Sequence, residues 1–150
     1  MKAWRARFLS KHMISAAREI LTKIINFSAR NFAGSGGESL IAGFSLSKGP
    51  WKRVLVRAIE PSLKAFGVNN YLDDPALTVF DSAGNRVAFN DNWEASLAVE
   101  FSKVGAFTLV NGSKDAAVQL ILKSDASYTV QVSSKSEEVG EALIEIYVIP

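Results

Sequence analysis

The residues best suited to chemistry in this 150-residue chain are oxygen-bearing side chains in its middle third. Calcium is bound by about six to eight oxygens from carboxylates, amides and carbonyls. Side chains of this kind crowd one short stretch, as Asp81, Asn85, Asn90, Asp91, Asn92 and Glu94. The stretch indicates a calcium site, although its spacing is not that of an EF-hand.

A predicted β-hairpin decides which of these oxygens can meet. Apolar residues alternate with small or polar ones over 77–81 and 85–89, which predicts two paired strands. Asp81 then lies at the hairpin tip, whereas residues before the first strand lie beside those after the second. The alternative is that these side chains make only Asx turns and strand caps, with no metal. The predicted Ca²⁺ ligands are Asp73, Asp74, Asn90, Asp91 and Asn92.

Two tryptophans are candidates for contact with a ligand. Trp93 follows the oxygen-rich loop and Trp51 follows a Gly-Pro turn. An exposed indole beside polar groups can stack on a sugar ring. The alternative for Trp93 is a place in the core, with its N–H bonded to a loop carbonyl.

A charged residue interrupts the apolar strand predicted over 53–59. Val54 and Val56 are predicted to line the core, which leaves Leu55, Arg57 and Ile59 on the opposite face. We expect Arg57 to make a structural salt bridge, with Asp115 and Asp91 as candidate partners.

The sequence gives no support to catalysis. Its one histidine, His12, lies near the start, and it contains neither cysteine nor a Gly-x-Ser-x-Gly motif. The glycine cluster over 34–37 is not followed by the Lys-Ser/Thr of a phosphate-binding loop. We therefore predict that the chain is not an enzyme.

Charge is divided unevenly along the chain. Residues 1–23 hold six basic side chains and one acidic one, a net charge of +5, whereas the other 127 residues hold 11 basic and 14 acidic ones, a net charge of −3. A nucleic-acid-binding domain needs a basic face on the fold itself, so nucleic acid is not predicted as a partner. No apolar run reaches the length of about 18 residues expected of a membrane span.

The basic prefix, residues 1–23, is predicted to be an amphipathic helix outside the domain formed by residues 24–150. Leu9, Met13, Ala16, Ile20 and Ile24 recur at spacings of three and four. The helix is interpreted as an arm left by an upstream region. The alternatives are an interfacial membrane helix, which would be the chain's one route to membrane contact, an export signal or a self-association helix.

The rest of the chain has the pattern of an all-β, jelly-roll-like β-sandwich of about eight strands. Short alternating segments are separated by turns rich in Gly, Pro, Asn and Asp. A single helical turn over 61–66 and a short helix within 94–103 interrupt them. The strands are predicted over 24–30, 39–46, 53–59, 77–81, 85–89, 116–122, 128–133 and 142–149.

Ordered blocks of residues 24–149 resemble a known kind of domain. They are 26–30, 40–44, 53–63, 66–68, 74–81, 90–93, 105–107, 112–117 and 128–132. The chain resembles a bacterial β-sandwich module found near the C-terminus of large secreted proteins, and more loosely the pre-peptidase C-terminal and collagen-binding-type jelly rolls. This resemblance implies a non-catalytic accessory domain, of a kind that in some members binds calcium. Glu60 departs from the pattern, because a small or apolar residue is usual there.

The expected function is a non-catalytic accessory, adhesion or structural module of a bacterial extracellular or cell-surface protein. The alternative is a carbohydrate-binding module that uses an exposed Trp51 or Trp93. The expected partner is a polysaccharide or a protein surface.

Overall fold

The structure is a computed structural model that describes residues 3–8 and 26–150. Three 3-10 segments (Gly36–Glu38, Pro61–Phe66 and Ala95–Leu97) and one helix, α1 (Ala98–Lys103), connect the strands of these ranges. None of the described helices is long and apolar enough to cross a membrane. The strands are β1 (Ala3–Phe8), β2 (Asn26–Ala33), β3 (Leu40–Leu46), β4 (Lys52–Ile59), β5 (Pro75–Asp81), β6 (Arg86–Asn90), β7 (Ala116–Leu122), β8 (Ala126–Ser134) and β9 (Gly140–Ile149).

The strands form two sheets that pack as a sandwich. The five-stranded sheet has the order β1-β3-β8-β5-β6, and the four-stranded sheet has the order β2-β9-β4-β7. Every pairing is antiparallel except that between β1 and β3. The predicted β-sandwich is confirmed, and so are the helical turn over 61–66 and the short helix within 94–103.

The apolar core lies between the two sheets. Strand β4 contributes Val54, Val56 and Ala58, and β8 faces them with Val130 and Val132. All of these side chains are buried. The predicted parity of β4 is therefore confirmed, since alternate residues of a strand point to the same face.

The four-stranded sheet is also covered on its outer face, which the sequence did not predict. Leu55 and Ile59 of β4 pack there in a second buried cluster. The cover is made by the Pro61–Phe66 segment, α1 and the loop that leads to β7, through residues such as Leu63, Phe101 and Leu109. Strand β4 is buried on both faces from Val54 onward, which explains why apolar residues occupy consecutive positions on either side of Arg57.

The helix predicted for the basic prefix, residues 1–23, is not found where the structure describes that segment. Residues 3–8 form β1, which pairs with β3 from Ala3 opposite Ile41 to Phe8 opposite Leu46. Trp4, Ala6 and Phe8 alternate with two arginines, a period of two that favours a strand, whereas the helical spacing begins only at Leu9. Residues 9–25 and the predicted boundary after residue 23 lie outside the described ranges.

Candidate functional site

An open groove lies at one end of the sandwich and has Trp51 at its mouth. Its volume is about 530 Å³. The walls come from the β5–β6 hairpin tip, the end of β7 and the start of β8. We call it the Trp51 groove; it is lined by Trp51, Asp81, Ser82, Val87, the segment 120–123 and the segment 125–128.

Trp51 is placed by the turn that precedes β4. The hydroxyl of Ser124 donates a hydrogen bond to the Pro50 carbonyl, which fixes this turn to the β7–β8 connection. The backbone N–H of Asp125 bonds the Ser47 carbonyl at 3.4 Å. The indole itself is 64 % exposed. A rigid backbone therefore presents a large aromatic surface to solvent.

A β-bulge shapes the wall opposite Trp51. Val79 pairs with Ala88 and the next residue, Phe80, pairs with Arg86, so Val87 is an extra residue in β6. Bulges redirect side chains, and Val87 is exposed in the groove instead of packing in the core. Ile121, on the free edge of β7, is a second exposed apolar residue of the groove.

Asp81 is committed to the hairpin turn. Its carboxylate accepts hydrogen bonds from the backbone of Ala83 at 3.0 Å and of Asn85 at 2.9 Å, and from the Asn85 side chain at 3.1 Å. The bonds from Asn85 lower the pKa of Asp81. This carboxylate is therefore an ionised structural acceptor that holds the hairpin tip rigid.

Other polar groups of the groove are available to a ligand. The side chains of Ser82, Lys123 and Asp125 make no hydrogen bond or ion pair within the described part of the chain. Tyr128 donates its hydroxyl to the Lys123 carbonyl at 3.0 Å, and burial raises the pKa of this phenol. The groove thus offers an ammonium donor, a carboxylate acceptor and a hydroxyl.

The predicted calcium ligands surround lysine side chains. Lys135 Nζ lies 2.9 Å from Asp91 Oδ2 and 3.9 Å from Asp74 Oδ2. Lys114 Nζ lies 3.5 Å from Asp73 Oδ2 and 3.7 Å from Asp74 Oδ2. The hydrogen bond from Lys135 lowers the pKa of Asp91, and the same bond raises that of Lys135. The three carboxylates are thus partnered by ammonium groups.

The two asparagines of that group are also hydrogen-bonded, Asn90 to backbone groups and Asn92 to a side chain. Asn90 accepts a hydrogen bond from the Ala117 N–H at 3.0 Å and donates one to the Asn92 carbonyl, also at 3.0 Å. The Asn92 amide donates to Asp91 at 3.3 Å. Among the described residues, no group of three or more acidic or histidine side chains is arranged to hold a metal. Calcium binding stays a prediction.

Trp93 occupies a different environment from Trp51. It is only 8 % exposed, and its indole N–H donates to the Val110 carbonyl at 3.2 Å and to the Ser113 hydroxyl at 3.1 Å. Its ring lies 5.4 Å from that of Phe101. The core placement of Trp93 leaves no face for a sugar ring, so Trp51 is the better candidate for ligand contact.

Arg57 makes a buried salt bridge, but with neither of the predicted partners. Its Nε lies 2.9 Å from Glu145 Oε2, directly across the β4–β9 pair. The guanidinium lies 4.6 Å from the ring centres of both Phe101 and Phe107, and it donates to the Phe107 carbonyl at 2.6 Å. Burial lowers the pKa of Arg57, and Glu145 opposes this shift. Glu145 replaces Asp115 and Asp91 as the partner because the register of β4 and β9 places it directly opposite Arg57.

Asp115 has a structural role of its own. Its carboxylate accepts hydrogen bonds from the backbone N–H groups of Glu60 and Ser62 and from the hydroxyls of Ser62 and Ser113. Its backbone carbonyl accepts from the Trp93 N–H at 2.9 Å. One aspartate thus joins the end of β4, the Pro61–Phe66 segment and the Trp93 loop.

Glu60 is the most unusual titratable residue of the described chain. It is fully buried, and neither carboxyl oxygen has a hydrogen-bond partner. Desolvation raises its pKa well above the ordinary value, and the nearby Asp115 charge adds to the shift. Burial without a hydrogen-bond partner therefore favours the protonated, neutral form of Glu60, which lies away from the groove.

The β-sandwich fold is similar to that of solved structures with very different sequences. The structure matches the pre-peptidase C-terminal domain of a collagenase from Bacillus anthracis with a TM-score of 0.50 and 9% identity, covering 97% of this chain and 94% of that one. A surface-associated copper-binding protein of Methylomicrobium album matches with a TM-score of 0.47 and 11% identity, covering 82% of this chain and 93% of that one. A periplasmic lysozyme inhibitor of Aeromonas hydrophila matches with a TM-score of 0.49 and 11% identity, covering 98% of this chain and 97% of that one. No family model matches the sequence, and no curated protein does.

Sequence reasoning identified Trp51 but missed the groove around it. The polar lining comes from the β7–β8 connection, distant from Trp51 along the chain. The one sequence signal was the Ser-Asp turn over 124–125, which marks a connection but not what lies beside it. The buried state of Glu60 had a signal of its own, namely an acidic residue directly after a strand of apolar residues.

Proposed function

We propose that this chain is a non-catalytic accessory module of an extracellular or cell-surface protein and that it contacts its ligand through the Trp51 groove. One observation carries the proposal: an indole that is 64 % exposed stands at the mouth of a groove of about 530 Å³, and some polar side chains of this groove have no partner among the residues that the structure describes. A groove of this size with a few convergent polar groups is the usual form of a small-ligand site.

The carboxylates of the groove support binding without catalysis. Hydrolysis of a glycoside by a carboxylate pair needs one acid with a raised pKa. Asp81 has a lowered pKa and is occupied by the hairpin turn, which leaves Asp125 without a suitable acid partner in the groove. Glu60 has a raised pKa, but it is sealed from solvent.

The fold supports the accessory role. The domain matched in the Bacillus anthracis collagenase is by its description a C-terminal domain of a larger enzyme. A cysteine-free sandwich is also compatible with an exported bacterial protein, because its stability does not depend on disulfides.

The test is a retention assay with a matched control. The full chain is incubated with immobilised polysaccharides and with immobilised extracellular-matrix proteins, and both bound protein and released product are measured. Trp51→Ala is compared with Phe66→Ala, which removes a ring of similar exposure, 62 %, that does not line the groove. We expect saturable retention without product, lost in Trp51→Ala only. Product release, or equal retention of the two variants, would overturn the proposal.

A further inference from the structure

We infer that the ligand of the Trp51 groove is an uncharged polysaccharide chain. The inference rests on the proposed function, because it names the ligand class of the same groove. It depends on three features of the lining: a flat aromatic platform, a mixed set of polar groups and a small negative charge.

The platform is the Trp51 indole. A pyranose ring carries C–H groups on one face, and such a face packs on an exposed aromatic ring because it buries apolar surface without removing the hydroxyls from solvent. The bond from Ser124 to the Pro50 carbonyl holds the turn in place before any ligand arrives. A preorganised platform loses little conformational entropy on binding.

The polar lining suits hydroxyl groups, which both donate and accept. Lys123 offers a donor, Asp125 offers an acceptor and Ser82 offers both, and none of these side chains has a partner in the described chain. Asp125 has a φ of 57°, a left-handed conformation that aspartate adopts more readily than most residues. Its carboxylate is thus carried on a sharp turn at the groove.

The charge of the lining selects against acidic sugars. Asp81 and Asp125 contribute two negative charges and Lys123 one positive charge, a net of −1. Juxtaposed like charges are costly in a binding site, so a sulfated or uronic-acid chain meets repulsion here. An uncharged chain meets none.

The strand edges beside the groove disfavour the main competitor, an extended peptide. Peptides bind sheets by adding a strand to a free edge. The β6 edge is interrupted beside the groove by the bulge at Val87, whereas the bond from the Ala117 N–H to Asn90 caps only the far end of the β7 edge. Bulges and capped edges are the devices that prevent strand addition.

Calorimetric titration of the full chain with uncharged hexasaccharides tests the inference. The probes are cellohexaose, xylohexaose and chitohexaose, with heparin hexasaccharide as the anionic comparison. We expect saturable binding of at least one uncharged probe and none of heparin. Trp51→Ala should weaken the binding of that uncharged probe by about tenfold or more. Trp51→Phe should weaken this binding less, and Phe66→Ala should leave it unchanged. Unchanged melting temperatures show that the variants are folded.

The contrary results separate this inference from the function on which it rests. Heparin binding tighter than that of every uncharged probe overturns the inference. Retention on immobilised proteins through Trp51, with no hexasaccharide bound, also overturns it and leaves the binding module standing. Failure to bind any hexasaccharide, polysaccharide or protein overturns both.

Discussion

Arg57 and Glu145 form an ion pair inside the protein, 2.9 Å apart, on neighbouring strands of the four-stranded sheet. The rings of Phe101 and Phe107 lie against the guanidinium and close the site to solvent. A buried ion pair contributes little net stability, but removal of one partner leaves an uncompensated charge. We therefore expect the pair to favour this register of β4 against β9, because a shifted register would separate the two buried charges.

Glu145→Ala is expected to destabilise the fold strongly, by about 3–5 kcal/mol, because it leaves the Arg57 charge buried without a partner. Replacing both residues, as Arg57→Leu with Glu145→Leu, should cost much less than the sum of the costs of Arg57→Leu and Glu145→Leu made singly. Urea unfolding of the single and double variants measures the coupling. Additive costs would show that the two charges do not interact in the folded protein.

Glu60 is expected to make the stability of the fold depend on pH. Its pKa in the folded state lies well above the ordinary 4.5 of the unfolded chain. The folded state therefore holds the proton more tightly, and the stabilisation present below pH 4.5 is lost as the pH rises through the range between the two pKa values. Glu60→Gln should flatten this decline, as followed by melting temperature against pH.

The same residue offers a stabilising change. Glu60→Leu removes two buried oxygens without partners, so at neutral pH it should raise the unfolding free energy by about 1–3 kcal/mol. Glu38→Leu, at an exposed glutamate, is the control and should have little effect. A destabilised Glu60→Leu variant, or a Glu60→Gln variant that keeps the wild-type pH slope, would mean that Glu60 is not a neutral buried acid.

Both faces of β4 should be sensitive to truncation. Leu55 and Val56 are wholly buried, on opposite faces of the sheet. Leu55→Ala removes the larger side chain, so it is expected to cost about 2–5 kcal/mol, and more than Val56→Ala. Chemical denaturation decides the order. A nearly neutral Leu55→Ala would show that the cover over the outer face is loose.

We propose that any Ca²⁺ taken up by the chain lies among Asp73, Asp74 and Asp91, with an oxygen of Asn90 or Asn92. The ammonium of Lys135 competes for that position. Millimolar Ca²⁺ should therefore raise the melting temperature of Lys135→Gln more than that of the wild type, relative to chelator, with an affinity of about 10⁻⁴–10⁻³ M. Asp91→Ala should abolish the response. If neither the wild type nor Lys135→Gln responds, calcium binding should be abandoned.

The strands of the sandwich were predictable because their signals are local. Alternation, turn residues and the helical turn closed by Gly67 identify most elements within a few residues. Residues 3–8 are harder to predict, because their short period-two pattern directly precedes the longer helical spacing that begins at Leu9. A pairing partner as distant as β3 leaves no trace in the strand itself.

Side-chain environments were less predictable, because they depend on contacts between distant segments. Nothing near either tryptophan in sequence shows that Trp93 is buried, with its indole N–H bonded to the Val110 carbonyl, while Trp51 remains exposed. Similarly, Glu145 meets Arg57 only through the β4–β9 register. The burial of both faces of β4 follows from a cover that comes later in the chain.

The most direct test of the central claim is to follow the indole N–H signals by NMR while an uncharged hexasaccharide is added. Trp51 and Trp93 form an internal pair, one exposed at the groove and one bonded to the Val110 carbonyl. We predict that the Trp51 indole signal shifts in a saturable way, together with the backbone amides of Ile121 and Ser127, whereas the Trp93 signal stays in place. A saturable shift confined to signals outside the groove, or none at all with any of the three uncharged probes, would contradict the assignment of the Trp51 groove as a polysaccharide site.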